Sequence, residues 1–503
     1  MKCTNPVIRG FYPDPSICFA NGAYYVVCSS FEFFPGLPVF KSTDLLHWTQ
    51  IGHCLTRQSQ LDLRGVEASG GLYAPTIRYD EKRRRFYVVV TNVSGNYGNF
   101  YVYTDDIEAG MWSEPVRVQR GGIDPSLLFD GDKTYFLSNG TDDFGEEGIS
   151  LCEIDIETGK TLTKAKSISR GCGGRYLEAP HLYHIGKWYY LMVAEGGTEY
   201  GHMECMLRSK DIWGPYEMCP HNPILTNRNL GGYIQQAAGH ADLVETPEGK
   251  WFMVHLGFRQ IDRWLPFHNL GRETYLEPVF WTDDGWPTVA SDGTCRSCWL
   301  LTERDGKEIC VTAEEPVYPE YKWTLDKNRA CYLRLPDMSA YQIENETARL
   351  RACDALGSVG TVSFAGMRQE EHTGTMTVAV DASELAEGEE AGLTAYMNER
   401  NYYAVYATKK EKGLTVCARL VMDGHAVYAK EHAVESDCVT LRIQSKPLNY
   451  DLQFEEKQGV FETLISGHSK FLSSEVTCGF TGVILALYCS GTGGWASFKF
   501  NMR

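Results

Sequence analysis

Two short stretches of the sequence place an aspartate directly before a proline and a serine: "FYPDPSI" at 11–17, with Asp14, and "RGGIDPS" at 120–126, with Asp124. A third acid, Glu178, precedes alanine and proline in "YLEAP". Carboxylates that crowd together in an apolar setting repel each other, so at least one pKa must rise. Enzymes use such separated pKa values for combined acid and base chemistry. An Asx turn explains one such motif alone better than chemistry does, so the chemistry depends on whether the fold brings the acids together.

The segments that carry these acids belong to a unit that repeats five times before about residue 300. Each unit has a short apolar strand, a polar turn ("ANG", "DEK", "DGD", "HIG" or "TPEG") and an aromatic, β-branched strand. Such turns are typical of β-hairpins. Successive units lie 50–62 residues apart, measured between their anchors Asp14, Ala74, Asp124, Glu178 and His240.

Five four-stranded units predict an all-β, five-bladed β-propeller, and a large β-sandwich that reuses hairpins is the alternative. The innermost strand of each blade lines the central channel, and a residue before proline is expected to be extended. We therefore expect Asp14, Asp124 and Glu178 to occupy equivalent positions in blades one, three and four and to face one polar space. Two carboxyl groups flanking a bond, one protonated and one ionised, are the arrangement for glycoside hydrolysis.

Eight motifs in order along the chain carry a family resemblance: "GFYPDPSI", "SSFEFFPGLPVF", "QLDLRG", "GGLYAPTIRYD", "GGIDPSLLFD", "RYLEAPHLY", "GGTEYGHM" and "AAGHADLV". Together they resemble glycoside hydrolase family 43, and most of all its two-domain β-xylosidases and α-L-arabinofuranosidases. The resemblance covers nearly the whole chain. It implies a five-bladed propeller that hydrolyses glycosides with inversion of configuration, in agreement with the repeat count.

The resemblance also implies catalytic roles, transferred motif by motif. Asp14 would be the general base that deprotonates the attacking water, and Glu178 the general acid that protonates the leaving oxygen. Asp124 would position the acid, tune its pKa and contact the sugar. The acid needs a raised pKa to stay protonated near neutral pH, and we expect the Asp124 carboxylate to supply it. In an inverting enzyme the base and the acid should stand about 6.5–9.5 Å apart.

Four further residues are expected at the substrate by the same resemblance. His240 of "GHAD" would lie at the channel bottom, where it would hold a structural calcium ion through water; the chemistry itself is expected to need no cofactor. Arg272 of "NLGRETY" resembles the family arginine that bridges sugar and carboxylates. Phe31 and Tyr73 would wall the pocket, although many relatives carry Trp where Tyr73 stands. The ordinary alternatives are a structural histidine and a surface salt bridge.

Past about residue 303 the repeat stops, and residues 320–503 alternate as short β-strands, which predicts an antiparallel sandwich. "FAGMRQ", "EEAGLTAYMNERNYY" and "FTGVILALY" resemble the concanavalin-like C-terminal domain of the same xylosidases. We therefore predict a catalytic propeller over 1–303 and an accessory sandwich over 320–503. Phe480 of "FTG" would close one end of the pocket, unless it belongs to the sandwich core.

Composition limits the partners. The formal net charge of −17 argues against nucleic acid and against an anionic membrane surface. Neither an export signal nor a transmembrane run is visible, so the 17 cysteines are expected to be reduced and mostly buried, in a cytoplasmic protein. The "CRSC" at 295–298 has no matching second pair along the chain, so zinc is not expected there.

The sequence therefore predicts an inverting exo-glycosidase that releases xylose, arabinofuranose or both from the ends of xylo-oligosaccharides or arabinoxylan fragments. The substrate would be a small oligosaccharide, and self-association into a homo-oligomer is open. One alternative is an enzyme that is mainly an α-L-arabinofuranosidase. The alternative from another class is a carbohydrate-binding propeller without turnover, since a fold does not fix a function.

Overall fold

The computed structural model describes residues 1–94, 98–314 and 316–500. Its first part is built from strands: β1 (Lys2–Thr4), β2 (Ser16–Ala20), β3 (Ala23–Val27), β4 (Phe33–Phe34), β5 (Gly36–Ser42), β6 (Thr49–Leu55), β7 (Thr76–Asp80), β8 (Arg85–Asn92), β9 (Gly98–Thr104), β10 (Val116–Arg117), β11 (Ile123–Asp130), β12 (Lys133–Thr141), β13 (Glu147–Ile154), β14 (Lys166–Ser169), β15 (Glu178–Ile185), β16 (Trp188–Glu195), β17 (Met203–Ser209), β18 (Glu217–Met218), β19 (Gln235–Glu245), β20 (Trp251–Arg259), β21 (Glu273–Trp281), β22 (Pro287–Val289), β23 (Cys298–Arg304) and β24 (Lys307–Thr312).

These strands form five antiparallel blades of four strands each, in chain order: β2-β3-β5-β6, β7 to β10, β11 to β14, β15 to β18 and β19 to β22. The five predicted turns join the first two strands of each blade. Second strands such as β8, "RFYVVVTN", are apolar and buried along almost their whole length, because neighbouring blades cover both faces. The predicted five-bladed propeller is thus confirmed, and the single large sandwich is wrong.

The ring closes between the first blade and the fifth. Strand β2 packs against both β7 and β19, and Ser16 Oγ donates to Asp242 Oδ2 at 2.6 Å. The segment before β2 runs along β21, where Val7 N donates to the Thr274 carbonyl at 2.9 Å. Strand β1 also pairs with β23 of the hairpin β23–β24.

The second part contains β25 (Tyr321–Lys322), β26 (Tyr332–Leu333), β27 (Tyr341–Ile343), β28 (Thr347–Arg351), β29 (Ser363–Arg368), β30 (Gly374–Asp381), β31 (Glu390–Asn398), β32 (Asn401–Lys410), β33 (Gly413–Met422), β34 (His425–Tyr428), β35 (His432–Val434), β36 (Cys438–Ser445), β37 (Asn449–Lys457), β38 (Val460–His468), β39 (Ile484–Ser490) and β40 (Trp495–Lys499). Two 3-10 turns, Met338–Ala340 and Ser469–Leu472, and the short helix α1 (Ser474–Thr477) complete it.

Its strands form two large sheets, β29-β39-β31-β32-β33-β34 and β27-β28-β40-β30-β36-β37-β38. Strand β30, "GTMTVAVD", alternates buried and half-buried residues, because one of its faces packs on the other sheet. This is the expected concanavalin-like sandwich. The limits 1–303 and 320–503 stay a prediction. Strand β24 lies beyond residue 303 and still pairs with β23, and residues 501–503 lie outside the described chain.

The cysteines and the absence of a transmembrane run were also considered from the sequence. The cysteines are free, and most of them are buried. Among the described residues, no helix is long and apolar enough to cross a membrane.

Charged and backbone contacts join the two parts of the molecule. Strand β26 of the second part pairs with β4 of the propeller. Arg259 is buried between two carboxylates, since it donates to both oxygens of Glu273 at 2.8 and 2.9 Å and to Glu371 Oε2 at 2.7 Å. Glu273 belongs to the propeller and Glu371 to the second part, so one guanidinium ties them together.

Replacing Arg259 with methionine should strongly destabilise the protein, because two buried carboxylates lose their shared cation. Breaking a buried ion pair from one side costs about 3–5 kcal/mol. The midpoint of urea unfolding should therefore fall clearly. Lys82→Met is the matched control: it breaks the exposed pair with Asp132, which is worth about 0–1 kcal/mol. Equal midpoints for the two variants would contradict the structural role of Arg259.

Candidate active site

The inner strands of the blades and one turn of the sandwich surround a cavity of about 380 Å³. All eight side chains that the sequence singled out line it: Asp14, Phe31, Tyr73, Asp124, Glu178, His240, Arg272 and Phe480. Four of the five blades therefore deliver a predicted polar residue to one small space.

The backbone at the acid positions is left-handed. Asp14 and Asp124 both have φ of 54°, and Ala179 and His240 have φ of 51°. The expectation of an extended residue before proline is therefore wrong at Asp14 and Asp124. Non-glycine residues in this region are uncommon and cost about 1–3 kcal/mol each, and they cluster at functional sites.

Extra residues in the inner strands explain this backbone. The pairing register of the inner strand shifts three times at the equivalent place, between Ile123 and Ser126, between Glu178 and His181, and between Gly239 and Asp242. A bulge of this kind leaves residues unpaired and re-aims a side chain. At these positions it turns side chains from the blade face toward the channel.

Glu178 does not occupy the position equivalent to Asp14 and Asp124. Aligned on the prolines, that position in blade four belongs to Ala179. Glu178 precedes the bulge as Ile123 does in blade three. The predicted equivalence is thus wrong by one residue. In blade three both Ile123 and Asp124 line the cavity, and in blade four Glu178 lines it, so the acid still reaches it.

Asp14 is prepared to be ionised. Its Oδ1 accepts a hydrogen bond from Arg272 Nη1 at 2.8 Å, and its Oδ2 accepts one from Ser29 Oγ at 2.5 Å. Burial alone would raise its pKa, but Arg272, then His240 and the Ser29 hydroxyl, outweigh burial and hold the pKa below its ordinary value. Asp14 is therefore an anion throughout the neutral range.

Glu178 and Asp124 differ from Asp14 because their pKa values are raised. Burial, and then the charge of Asp14, raise the pKa of Glu178 to about 7. Burial, Glu178 and Asp14 raise the pKa of Asp124 well above its ordinary value. The shift of Glu178 thus comes first from burial and next from Asp14, where the sequence had suggested Asp124. The pair retains a proton near neutral pH while Asp14 stays ionised.

Asp124 also fixes the acid through the backbone. Its Oδ2 accepts a hydrogen bond from the Ala179 N–H at 3.1 Å. Because Ala179 follows Glu178 directly, this bond orients the turn that carries the acid. Asp124 therefore influences Glu178 through this bond, and the charges of the two carboxyl groups also interact.

Arg272 supplies positive charge among the acids. Besides Asp14, its Nη1 donates to Thr198 Oγ1 at 2.8 Å, and its Nη2 donates to the Phe480 carbonyl at 3.3 Å. Its guanidinium carbon lies 5.8 Å from the ring centre of Phe31 and 5.6 Å from that of Phe480. Arg272 is buried, so the surface salt bridge considered from the sequence is wrong.

Three aromatic rings form one wall of the cavity. Phe31 stacks on Phe480 with ring centres 5.9 Å apart, and Tyr73 meets Phe480 edge-on at 5.8 Å. Phe480 comes from the turn before β39, and its N–H donates to Ser69 Oγ at 2.9 Å. It is half-buried and lines the cavity while packing on these rings, so the sandwich contributes directly to the pocket.

The channel below the cavity is filled by an ion pair that the sequence did not single out. Arg78 donates to both oxygens of Asp242, at 2.7 and 3.1 Å. Asp242 also accepts bonds from Ser16 Oγ and from the Tyr183 hydroxyl, both at 2.6 Å. Asp242 follows His240 by two residues in "GHAD", and this motif was the available signal.

His240 lies between this ion pair and the acids, with its Nδ1 3.8 Å from Asp14 Oδ1. Burial lowers its pKa, although Asp14 acts in the opposite direction, so the ring is neutral near pH 7. Calcium prefers six to eight oxygen ligands, and the Asp242 oxygens are already engaged. Neither group of metal-ligating side chains found among the described residues includes His240. A calcium ion here would be held mainly by water, and it stays a prediction.

Two loops of blade four also line the cavity, and the sequence did not single them out residue by residue. Arg175 and Tyr176 precede Glu178, and Gly196, Gly197, Thr198 and Glu199 follow β16. Both loops entered only within motifs of the family resemblance, the first in "RYLEAPHLY" and the second in "GGTEYGHM".

The cavity of this propeller is small, has an aromatic wall and contains one ionised and one protonated carboxyl group. This is the arrangement that glycoside hydrolases use. Comparison with known families agrees. The model of glycosyl hydrolases family 43 matches residues 3–287, and that of the β-xylosidase C-terminal concanavalin A-like domain matches residues 330–501. The chain belongs to glycoside hydrolase family 43. It is therefore an enzyme, and the non-catalytic binding propeller is wrong.

Similar proteins cover both parts of the chain. The non-reducing end α-L-arabinofuranosidase BoGH43B of Bacteroides ovatus is 38% identical over 97% of this chain and 91% of its own. A xylosidase/arabinosidase of Butyrivibrio fibrisolvens is 34% identical over 97% of this chain and 96% of its own. The solved structure of the Bacteroides ovatus xyloglucan PUL GH43B superposes with a TM-score of 0.89 at 36% identity, with full coverage of both chains.

Replacing Arg272 with methionine should move the pH profile of kcat/KM to higher pH. Arg272 lowers the pKa of Asp14, Asp124 and Glu178, so its loss raises all three. If Asp14 is the base and Glu178 the acid, as the family resemblance implies, activity needs Asp14 ionised and is lost as pH falls through its pKa. It then also needs Glu178 protonated and is lost as pH rises through the pKa of about 7.

Both limbs of the normalised profile should therefore shift upward in Arg272→Met, beside a large drop in rate. Arg175→Met is the control, because Arg175 lines the same cavity but contributes to none of these shifts. An unshifted profile in Arg272→Met would show that the guanidinium does not set the protonation states.

Proposed function

We propose that this glycoside hydrolase is inverting and exo-acting, and that it releases xylose or arabinofuranose from the ends of xylo-oligosaccharides or arabinoxylan fragments. The observation that supports this most is the opposite protonation of Asp14 and Glu178 in one cavity. A base and an acid that are both ready at neutral pH are what single-step hydrolysis by water requires.

In the proposed reaction, Asp14 accepts a proton from a water molecule as the water oxygen bonds to the anomeric carbon. The bond from that carbon to the leaving oxygen breaks, and Glu178 donates its proton to this oxygen. One water is consumed, Asp14 ends protonated and Glu178 ionised, and a proton exchange with solvent restores both. Attack opposite to the leaving group inverts the anomeric centre.

The other charged residues prepare this step. Asp124 holds the turn of the acid through Ala179. Arg272 keeps Asp14 ionised, and its position among the acids suits it to bind a sugar hydroxyl. His240, neutral and next to Asp14, is placed to donate or accept one hydrogen bond from the substrate.

The exo mode rests on the closed end of the cavity. Phe480, Phe31 and Tyr73 pack on one another, and the cavity of about 380 Å³ suits a small part of a glycan chain. A pocket closed on one side admits a chain end and excludes a chain interior.

The names of similar proteins support a preference for xylose and arabinofuranose. One is named an α-L-arabinofuranosidase and another a xylosidase/arabinosidase. Because xylopyranose and arabinofuranose can present similar hydroxyl patterns, we propose that this pocket accepts both. An enzyme that is mainly an α-L-arabinofuranosidase is the second candidate, and the first of these relatives favours it.

Several expectations stay predictions beside this proposal. The reaction as written needs no metal or cofactor, and a hydrated calcium ion near His240 would be structural. A small neutral oligosaccharide is the proposed substrate, and the net charge of −17 still argues against nucleic acid and anionic membranes. A cytoplasmic location and self-association also stay predictions.

Glu178→Gln should lower kcat on xylobiose by about 10²–10⁴-fold, because general acid catalysis contributes this much. The loss should be far smaller on 2,4-dinitrophenyl β-D-xylopyranoside, whose leaving group departs without a proton. Glu199→Gln is the control: it removes another carboxylate from the cavity lining and should change both rates little. Equal losses on the two substrates would refute the acid role of Glu178.

Hydrolysis of 4-nitrophenyl β-D-xylopyranoside and of 4-nitrophenyl α-L-arabinofuranoside, followed by proton NMR, should give α-xylose and β-arabinose first. Mutarotation then forms the other anomers. The ratio of the two kcat/KM values measures the sugar preference. A first product of retained configuration would exclude the direct attack of water, and cleavage of the arabinofuranoside alone would exclude the β-xylosidase activity.

A further inference from the structure

Three side chains able to bind a metal meet inside the fifth blade, and none of them lines the catalytic cavity. They are His255 on β20, Glu277 on β21 and Cys295 between β22 and β23. One ligand atom of each lies within 4.8 Å of those of the other two. The sheet register brings the first two together, since His255 pairs with Tyr275 and Glu277 lies two residues further on the same face. All three are almost completely buried.

His255 is held as a metal ligand would be. Its Nδ1 donates to the Leu256 carbonyl at 2.7 Å, which leaves the lone pair on Nε2. Nε2 is buried and has no hydrogen-bond partner among the described residues. Metal-binding histidines commonly have this backbone bond on the second nitrogen.

Glu277 shows the same division between its two oxygens. Oε1 accepts hydrogen bonds from Asn5 Nδ2 at 3.0 Å and from the Arg296 N–H at 3.2 Å. Oε2 is buried and, apart from the Cys295 thiol in the same cluster, has no partner within the described chain. One oxygen is fixed by the protein while the other is free toward His255 and Cys295.

Without a bound ion, the unpartnered polar atoms of this cluster would lower the stability of the folded protein. Each buried polar atom without a partner costs about 1–3 kcal/mol. A divalent cation would remove this cost, because one thiolate, one carboxylate and a neutral imidazole balance its charge.

We propose that His255, Glu277 and Cys295 bind one zinc ion. The nitrogen, oxygen and sulfur donors are those that zinc accepts, whereas calcium and magnesium prefer oxygen alone. The fourth position of a tetrahedral ion is left for a water molecule. The sequence did not indicate this site. The site uses only one cysteine of "CRSC", Cys295, and takes its other ligands from two neighbouring strands.

A second group of metal-ligating side chains, Cys172, Glu195 and Cys205, provides the contrast. There the Glu195 carboxylate already accepts the backbone N–H groups of Cys172 and Gly174, one on each oxygen. The Cys172 sulfur also accepts a bond from Asn222 Nδ2 at 3.2 Å. This second group is therefore satisfied by the protein and serves as the matched control.

The proposed zinc ion would act on stability. It would join two strands of blade five to the segment that leads into β23, and β23 pairs with the N-terminal strand β1. The ion would thus fasten the end of the propeller to its beginning. Because it binds the folded state, its removal should lower Tm, while the pH profile of the remaining folded enzyme stays unchanged.

The test is the zinc content of the full-length protein, produced in zinc-supplemented medium and dialysed against metal-free buffer. We expect about one zinc ion per chain in the wild type and in Cys172→Ser, and at least a tenfold lower content in His255→Gln and Cys295→Ser. A wild type without zinc would overturn the proposal. So would zinc that is lost in Cys172→Ser and kept in Cys295→Ser.

X-ray absorption at the zinc edge of the wild type decides the matter even if the variants fail to fold. The proposed site predicts one sulfur ligand with nitrogen and oxygen neighbours, and two sulfur ligands would assign the ion to Cys172 and Cys205 instead. Extraction of zinc with a chelator during unfolding and refolding should lower Tm. An unchanged Tm after complete extraction would contradict the stabilising role.

Discussion

The ion pair between Arg272 and Asp14 is the contact on which the site depends. Asp14, Asp124 and Glu178 share a cavity with Arg272, and of these three carboxyl groups Asp14 accepts a hydrogen bond from the guanidinium, at 2.8 Å. Arg272 alone cannot balance the negative charge of three ionised carboxyl groups. The remaining pair, Glu178 and Asp124, therefore keeps a proton. The difference in protonation between Asp14 and Glu178 therefore follows from which carboxyl group the arginine contacts.

The same arginine couples parts of the chain that are far apart in sequence. It lies just before β21 of blade five and bonds to Asp14 before blade one, to Thr198 in a loop of blade four, and to the carbonyl of Phe480 in the sandwich. Arg272 therefore connects the acids to a loop of blade four and to a turn of the sandwich. The bulged inner strands have a similar effect, since their left-handed residues aim the side chains that the arginine must balance.

Much of the fold could be predicted because it depends on local patterns, whereas the pocket residues and their roles were predicted from the family resemblance of the ordered motifs. Hairpin turns between apolar strands gave the number of blades, and the prolines marked the inner strands. The bulges could not be seen, because a residue before proline is normally extended, whereas Asp14 and Asp124 are left-handed. The predicted position of Glu178 was therefore wrong by one residue. The filled channel of Arg78 and Asp242, and the cluster of His255, Glu277 and Cys295, depend on strand register and on packing between strands, which a single sequence does not display.

Phe480 has a consequence for how this architecture can diverge. The ring that closes the cavity is carried by a turn of the second domain, anchored to the propeller by a bond to Ser69 and by the Arg272 contact. Shortening or rebuilding that turn would open a cleft without altering a single acid. Selection can thus adjust the length of glycan that fits separately from bond cleavage, which makes the accessory domain the natural place for new specificities to arise.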